Sequence, residues 1–123
     1  MGLLGQGYNF GGIGGTGLSL EPTAGMTGWW KANTLALSDT DPVTTWADSA
    51  NSNDLTSAGA NRPTYLVSQK NGLPAVDFDG GVQYLDVAIG SLTQPTTVFI
   101  VFKQNTWTDN MNIFDSHSFY LMA

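Results

Sequence analysis

The single histidine, His117, sits in the run Asp115, Ser116, His117, Ser118, which holds the residue types of a hydrolytic triad. Contiguity works against that chemistry. Neighbours on an extended chain point to opposite faces, whereas a triad converges from separate elements, so a surface or interface histidine is expected. Glycoside hydrolysis needs two carboxylates, one an acid and the other a base or nucleophile. The only glutamate is Glu21. Asp77 and Asp79 would share a strand face about 7 Å apart at the usual strand rise, and a solvated pair is the simpler reading. Residues 48–54, DSANSND, are rich in oxygen, which suits a hard cation such as calcium. Asp48, Asn51 and Asp54 are the candidate ligands, although the same run also reads as an Asx-rich turn. Trp107, in the polar stretch QNTWTDN, is the tryptophan expected to be exposed; with Asp109 and Asn110 it could stack on and hydrogen-bond a ligand such as a sugar ring. Trp46 alternates with polar neighbours and is expected in the core.

Residues 12–17, GIGGTG, match the dinucleotide fingerprint literally. That site needs a strand before it and a helix opening on it. A glycine-rich run precedes it here, and Pro22 and Gly25 follow where the helix would run, so no cofactor is expected.

The elements that must position these residues follow from an uneven composition. The chain has 123 residues, ten acidic and four basic side chains, no cysteine and fifteen glycines, with a formal net charge of −6. Eight of those glycines fall within residues 1–17, and no charge precedes Glu21. Four basic residues cannot build a phosphate-binding patch, so nucleic acid is not an expected partner. No apolar stretch approaches the roughly 18 residues of a membrane span, and the start, MGLLGQGYNF, has neither the basic nor the continuous apolar region of a secretory signal.

Residues 1–20 scatter Leu3, Leu4, Tyr8, Phe10 and Ile13 among the glycines without a charge. Such a segment cannot order alone, and its apolar anchors predict an arm that orders on a partner, with a reach of roughly 66 Å if extended. From residue 21 to 123 short β-branched and aromatic runs alternate with Gly, Pro, Asn, Asp and Ser clusters, which predicts an all-β domain. Strands are expected over residues 28–31, 43–47, 64–67, 74–78, 84–88, 96–103 and 112–115. In TTVFIVFK (96–103) both faces are apolar, so this strand is expected at the centre of a sheet, covered on both sides. In AVDFD, Val76 and Phe78 face the core, and Asn71-Gly72 marks a turn.

Six blocks in order, GWWKAN (28–33), VTTWADSANSNDL (43–55), NRPTYL (61–66), NGLPAVDFDG (71–80), QYLDV (83–87) and TVFIVFK (97–103), resemble the N-terminal half of a concanavalin A-like, laminin-G-type jelly roll. The resemblance covers about residues 26–115. It implies an antiparallel β-sandwich of a kind that binds glycans or proteins in secreted proteins, bacterial surface proteins and phage virions. Ala50 and Ser52 stand where the family usually has glycine. Its enzymes carry a glutamate-based motif in a later strand that nothing here matches. Because the blocks cover about half of such a sandwich, further chain or other subunits are expected to complete the sheets.

The expectation for function is a non-enzymatic virion structural or appendage protein, homo-oligomeric, docked on other subunits through the arm and presenting the jelly roll to glycan or protein. One alternative is a carbohydrate-binding module of a bacterial extracellular or cell-surface protein. Another is a glycoside hydrolase or lyase domain with its catalytic residues beyond Ala123.

Overall fold

Asn71-Gly72 gives the chain its most definite local instruction, since a two-residue hairpin matching the strand twist needs positive φ at both central residues. In the computed structural model, which describes residues 25–106, 112–116 and 119–122, Asn71 and Gly72 take φ of 52° and 76°. They join β3 (Thr64–Lys70) to β4 (Leu73–Asp77) as an antiparallel hairpin with Lys70 opposite Leu73. Farther along, Thr64, Tyr65 and Leu66 pair with Asp77, Val76 and Ala75. Between these stretches Val67, Ser68 and Gln69 bulge opposite Pro74, with Ser68 at φ 54°. Proline has no N–H to give the ladder, so pairing opens where it sits.

The other sheet combines β1 (Thr45–Trp46), β2 (Leu55–Thr56), β5 (Tyr84–Val87), β6 (Asp115–Ser116) and β7 (Phe119–Met122). Its order is β1-β2-β5-β7-β6, and every pairing is antiparallel. Helix is confined, among the described residues, to two 3-10 turns, Ala32–Thr34 and Gly59–Asn61. The chain is therefore all-β in class.

Both sheets feed one apolar cluster. Leu55 of β2, Tyr65 of β3 and Leu85 of β5 are buried with Val43, and Trp46, Val76 and Phe78 pack against them. Trp46 and the Val76/Phe78 face thus lie where their alternation predicts. The connector 40–43 ties the sheets through backbone bonds: the Thr40 N–H donates to Tyr65 O at 2.8 Å, the Tyr65 N–H to Asp41 O at 2.8 Å, and the Val43 N–H to Pro63 O at 2.8 Å.

Several expected strands differ. Residues 28–31 make a single bridge, Trp30 with Asp48, instead of a strand. The chain turns at Ala32–Thr34 directly afterwards, and Gly28 lies so close to the Trp30 indole that a Cβ there would collide with it. The largest correction concerns residues 96–103, which join neither sheet and are exposed throughout. Burial on both faces needs a layer on each side, and none of the described elements supplies one. Two strands were not foreseen. β2 follows the 48–54 loop, and β7 pairs with β5 from Tyr84 opposite Met122 to Val87 opposite Phe119.

Gly72 has open space where a Cβ would sit, so its requirement is backbone conformation alone. Gly72→Ala is expected to destabilise the protein by about 1–2 kcal/mol, read from urea unfolding, while Asn71→Gly leaves the midpoint nearly unchanged.

Candidate functional site

The oxygen-rich loop 48–54 folds around the carboxylate of Asp48. Asp48 Oδ1 accepts the N–H of Trp29 at 2.8 Å and of Ala50 at 2.8 Å, and Oδ2 accepts the N–H of Asn53 at 3.2 Å. The Asp48 N–H donates in turn to Asp54 Oδ1 at 2.9 Å. Asn51 Nδ2 donates to the carbonyls of Met26 and Thr27 at 2.7 and 3.0 Å, and Asn53 Nδ2 to Thr27 O at 2.6 Å. The Trp30 indole N–H closes the set on Asn53 O at 2.8 Å. Asp48, Asn51 and Asp54, the candidate cation ligands, are thus brought together, and each grips backbone. Among the described residues no group of three or more His, Cys, Asp or Glu comes together.

The electrostatics agree with that use. Burial pushes the Asp48 carboxyl up, but the backbone N–H groups of Ala50, Trp29, Asn51 and Asn53 outweigh it and hold the group below its ordinary 3.8. A carboxylate accepting several backbone N–H bonds is stabilised in its charged form. Asn53, not singled out from sequence, is the second clamp; its place three residues before the β2 pairing position Thr56 is a signal only once the turn geometry is known.

The other candidates do not converge. Asp77 lies in the β4 ladder opposite Thr64, and the strand ends there. Asp79 belongs to the following turn, where Oδ1 accepts the Gly81 N–H at 2.8 Å and its own N–H donates to Gln83 Oε1 at 2.9 Å. The two carboxylates therefore do not share a strand face. Asp115 and Ser116 form β6. His117, Ser118, Glu21, the glycine run 12–17, the arm anchors Leu3, Leu4, Tyr8, Phe10 and Ile13, and the proposed ligand contacts Trp107, Asp109 and Asn110 lie outside the described residues.

The surface feature that stands out is the displaced apolar run. Fractional exposure from Val98 to Phe102 reads 44%, 90%, 37%, 103% and 59%. The alternation has the period of a β-strand: Val98 and Ile100 are partly shielded, whereas Phe99 and Val101 project into solvent. Among the described residues its backbone pairs with no strand. Contiguous exposed apolar surface with unpaired backbone is a docking edge or an aggregation hazard. It is the candidate functional surface here.

Asp48→Ala is expected to lower stability by about 2–3 kcal/mol, because it strands the N–H groups the carboxylate accepts; Asp48→Asn, retaining one acceptor oxygen, should cost less. Since the folded carboxyl titrates below the unfolded one, its stabilisation is full above the ordinary value and drains as pH falls through the lowered one. Thermal unfolding of the wild type should therefore show a loss on acidification below about pH 4 that is reduced in Asp48→Asn. Comparison with known families, with curated proteins and with solved structures finds no match for this chain.

Proposed function

We propose that this protein is a non-enzymatic assembly subunit, a virion structural or appendage protein whose β-sheets form part of a concanavalin A-like jelly roll. The observation that carries the reading is the exposed strand-like run Val98 to Phe102, with Phe99 and Val101 almost entirely in solvent. A free-standing monomer would leave this edge open to indiscriminate pairing, whereas a subunit keeps it for its neighbours. The uncharged arm of residues 1–20 supports the same reading, because its widely spaced apolar anchors gain burial only against another surface. Arm and edge give the chain two separate attachments, one glycine-rich and one strand-like. A strand presented this way is recognised through its backbone N–H and C=O groups, with side-chain pockets adding selectivity.

Expressed together with the other structural proteins of its particle, the full chain should co-sediment with assembled particles in fixed stoichiometry. A chain lacking residues 2–20 should keep its β-sheet circular dichroism yet remain in the soluble fraction. Full-length chain that stays soluble beside complete particles would overturn the assembly role.

A further inference from the structure

We infer that the 96–103 edge is a self-pairing strand, whose partner is the same segment of a second copy lying antiparallel to it across a two-fold axis at Ile100. The inference rests on the assembly reading above and names the partner. Its basis is the order of residues in Val98, Phe99, Ile100, Val101, Phe102. Laid antiparallel on itself about Ile100, the run places Val98 opposite Phe102, Phe99 opposite Val101 and Ile100 opposite its own copy. This is the one antiparallel register in which all five apolar residues face apolar residues. Each aromatic ring then meets a β-branched side chain, a favoured cross-strand combination. Sliding the copies by two residues instead brings Phe99 against Phe99 and Thr96 against Phe102, or Phe99 against Lys103.

Charge points the same way. The chain carries a net −6, yet residues 87–108 contain no acidic side chain, and Lys103 is their only charge. Two acidic copies therefore meet least repulsion along this stretch. In the symmetric register each Lys103 lies opposite Thr97, so the two ammonium groups sit at opposite ends of the ribbon. Exposure also sets the geometry: Val98 and Ile100 are partly shielded by their own chain, so the second strand approaches along the edge. Pairing sets Phe99 of each copy beside Val101 of the other on the outer face. The five exposed side chains offer on the order of 500 Å² per copy, which puts the contact at the lower end of specific interfaces. A weak, concentration-dependent dimer follows.

Sedimentation velocity of the full chain from low to high micromolar concentration should show a monomer–dimer equilibrium. Val101→Lys, at a position fully in solvent and so without consequence for folding, should weaken it at least tenfold. The chain has no cysteine, so register can be read directly. Ile100→Cys should form a disulfide dimer on mild oxidation, and an equimolar mixture of Phe99→Cys with Val101→Cys should cross-link far better than either alone. Hydrogen exchange completes the test. Protection of residues 98–102 that grows with concentration supports self-pairing, whereas concentration-independent protection means that the chain's own residues cover the edge and overturns it. Full exchange at every concentration, with protection only in assembled particles, would also overturn self-pairing while leaving the assembly role intact. Absence of protection in particles as well would remove both.

Discussion

The carboxylate of Asp48 is the interaction on which the described fold depends most. A loop between two-residue strands has little ladder of its own: β1 and β2 share only the pairs Thr45 with Thr56 and Trp46 with Leu55. What holds that register is the hydrogen-bonded knot between them, in which Asp48 accepts N–H groups from its own loop and from Trp29, and Asp54 returns the grip on the Asp48 backbone. Leu55 is fully buried beside Leu85 and Val43, so a slip of one residue at this turn would rotate it out of the core and bring Thr56 in. The same carboxylate reaches Trp29, while Asn51 and Asn53 hold the Met26 and Thr27 carbonyls and the Trp30 indole, in a segment with no strand of its own. One ionised group thus reinforces a two-pair ladder and a single bridge, and the lowered pKa of Asp48 accords with that role.

The apolar cluster it protects is small. Four hydrophobic residues form its buried centre among those described, and partly exposed indole and phenyl rings complete their surroundings. Trp29 Nε1, Trp46 Nε1 and Ser57 Oγ are buried without a hydrogen-bond partner among the described residues, a cost that a larger core absorbs more easily. At the same time the most hydrophobic run of the chain stays outside this cluster. The centre is thus stabilised by backbone-directed polar contacts, and the apolar run 98–102 contributes nothing to it.

Local chemistry made much of this legible from sequence. Asn71-Gly72 specified its hairpin because only that backbone twist suits the strands, and AVDFD specified its faces because period two leaves no second choice. Trp46 declared itself by alternation. Residues 28–31 misled, since aromatic content reads as strand propensity while the packing of Gly28 under the Trp30 ring is a tertiary fact. The 48–54 loop is oxygen-rich, but composition does not say whether carboxylates face an ion or the backbone; the spacing of Asp48, Asn51, Asn53 and Asp54 serves either use. TTVFIVFK departs furthest from its sequence pattern, lying exposed and in no sheet. A hydrophobic run states that burial on both faces is favoured and is silent about which elements provide it, and none of the described ones does.

That run also carries its own limits. Gln94-Pro95 ends it on one side, and proline withholds the N–H that further pairing would need; Lys103 ends it on the other, where a charge resists stacking on a third strand. Between them lie seven residues, 96–102, close to the commonest strand length. Boundaries of this kind matter because an apolar strand with unpaired backbone can either close a symmetric contact or seed an open-ended array. A centre at Ile100 pairs all five apolar residues 98–102 inside these boundaries, whereas the longest pairing the boundaries permit, 96–102 about Phe99, would set Thr96 against Phe102. A proline at one end, a lysine at the other and apolar residues between them suit a finite contact better than an open-ended array.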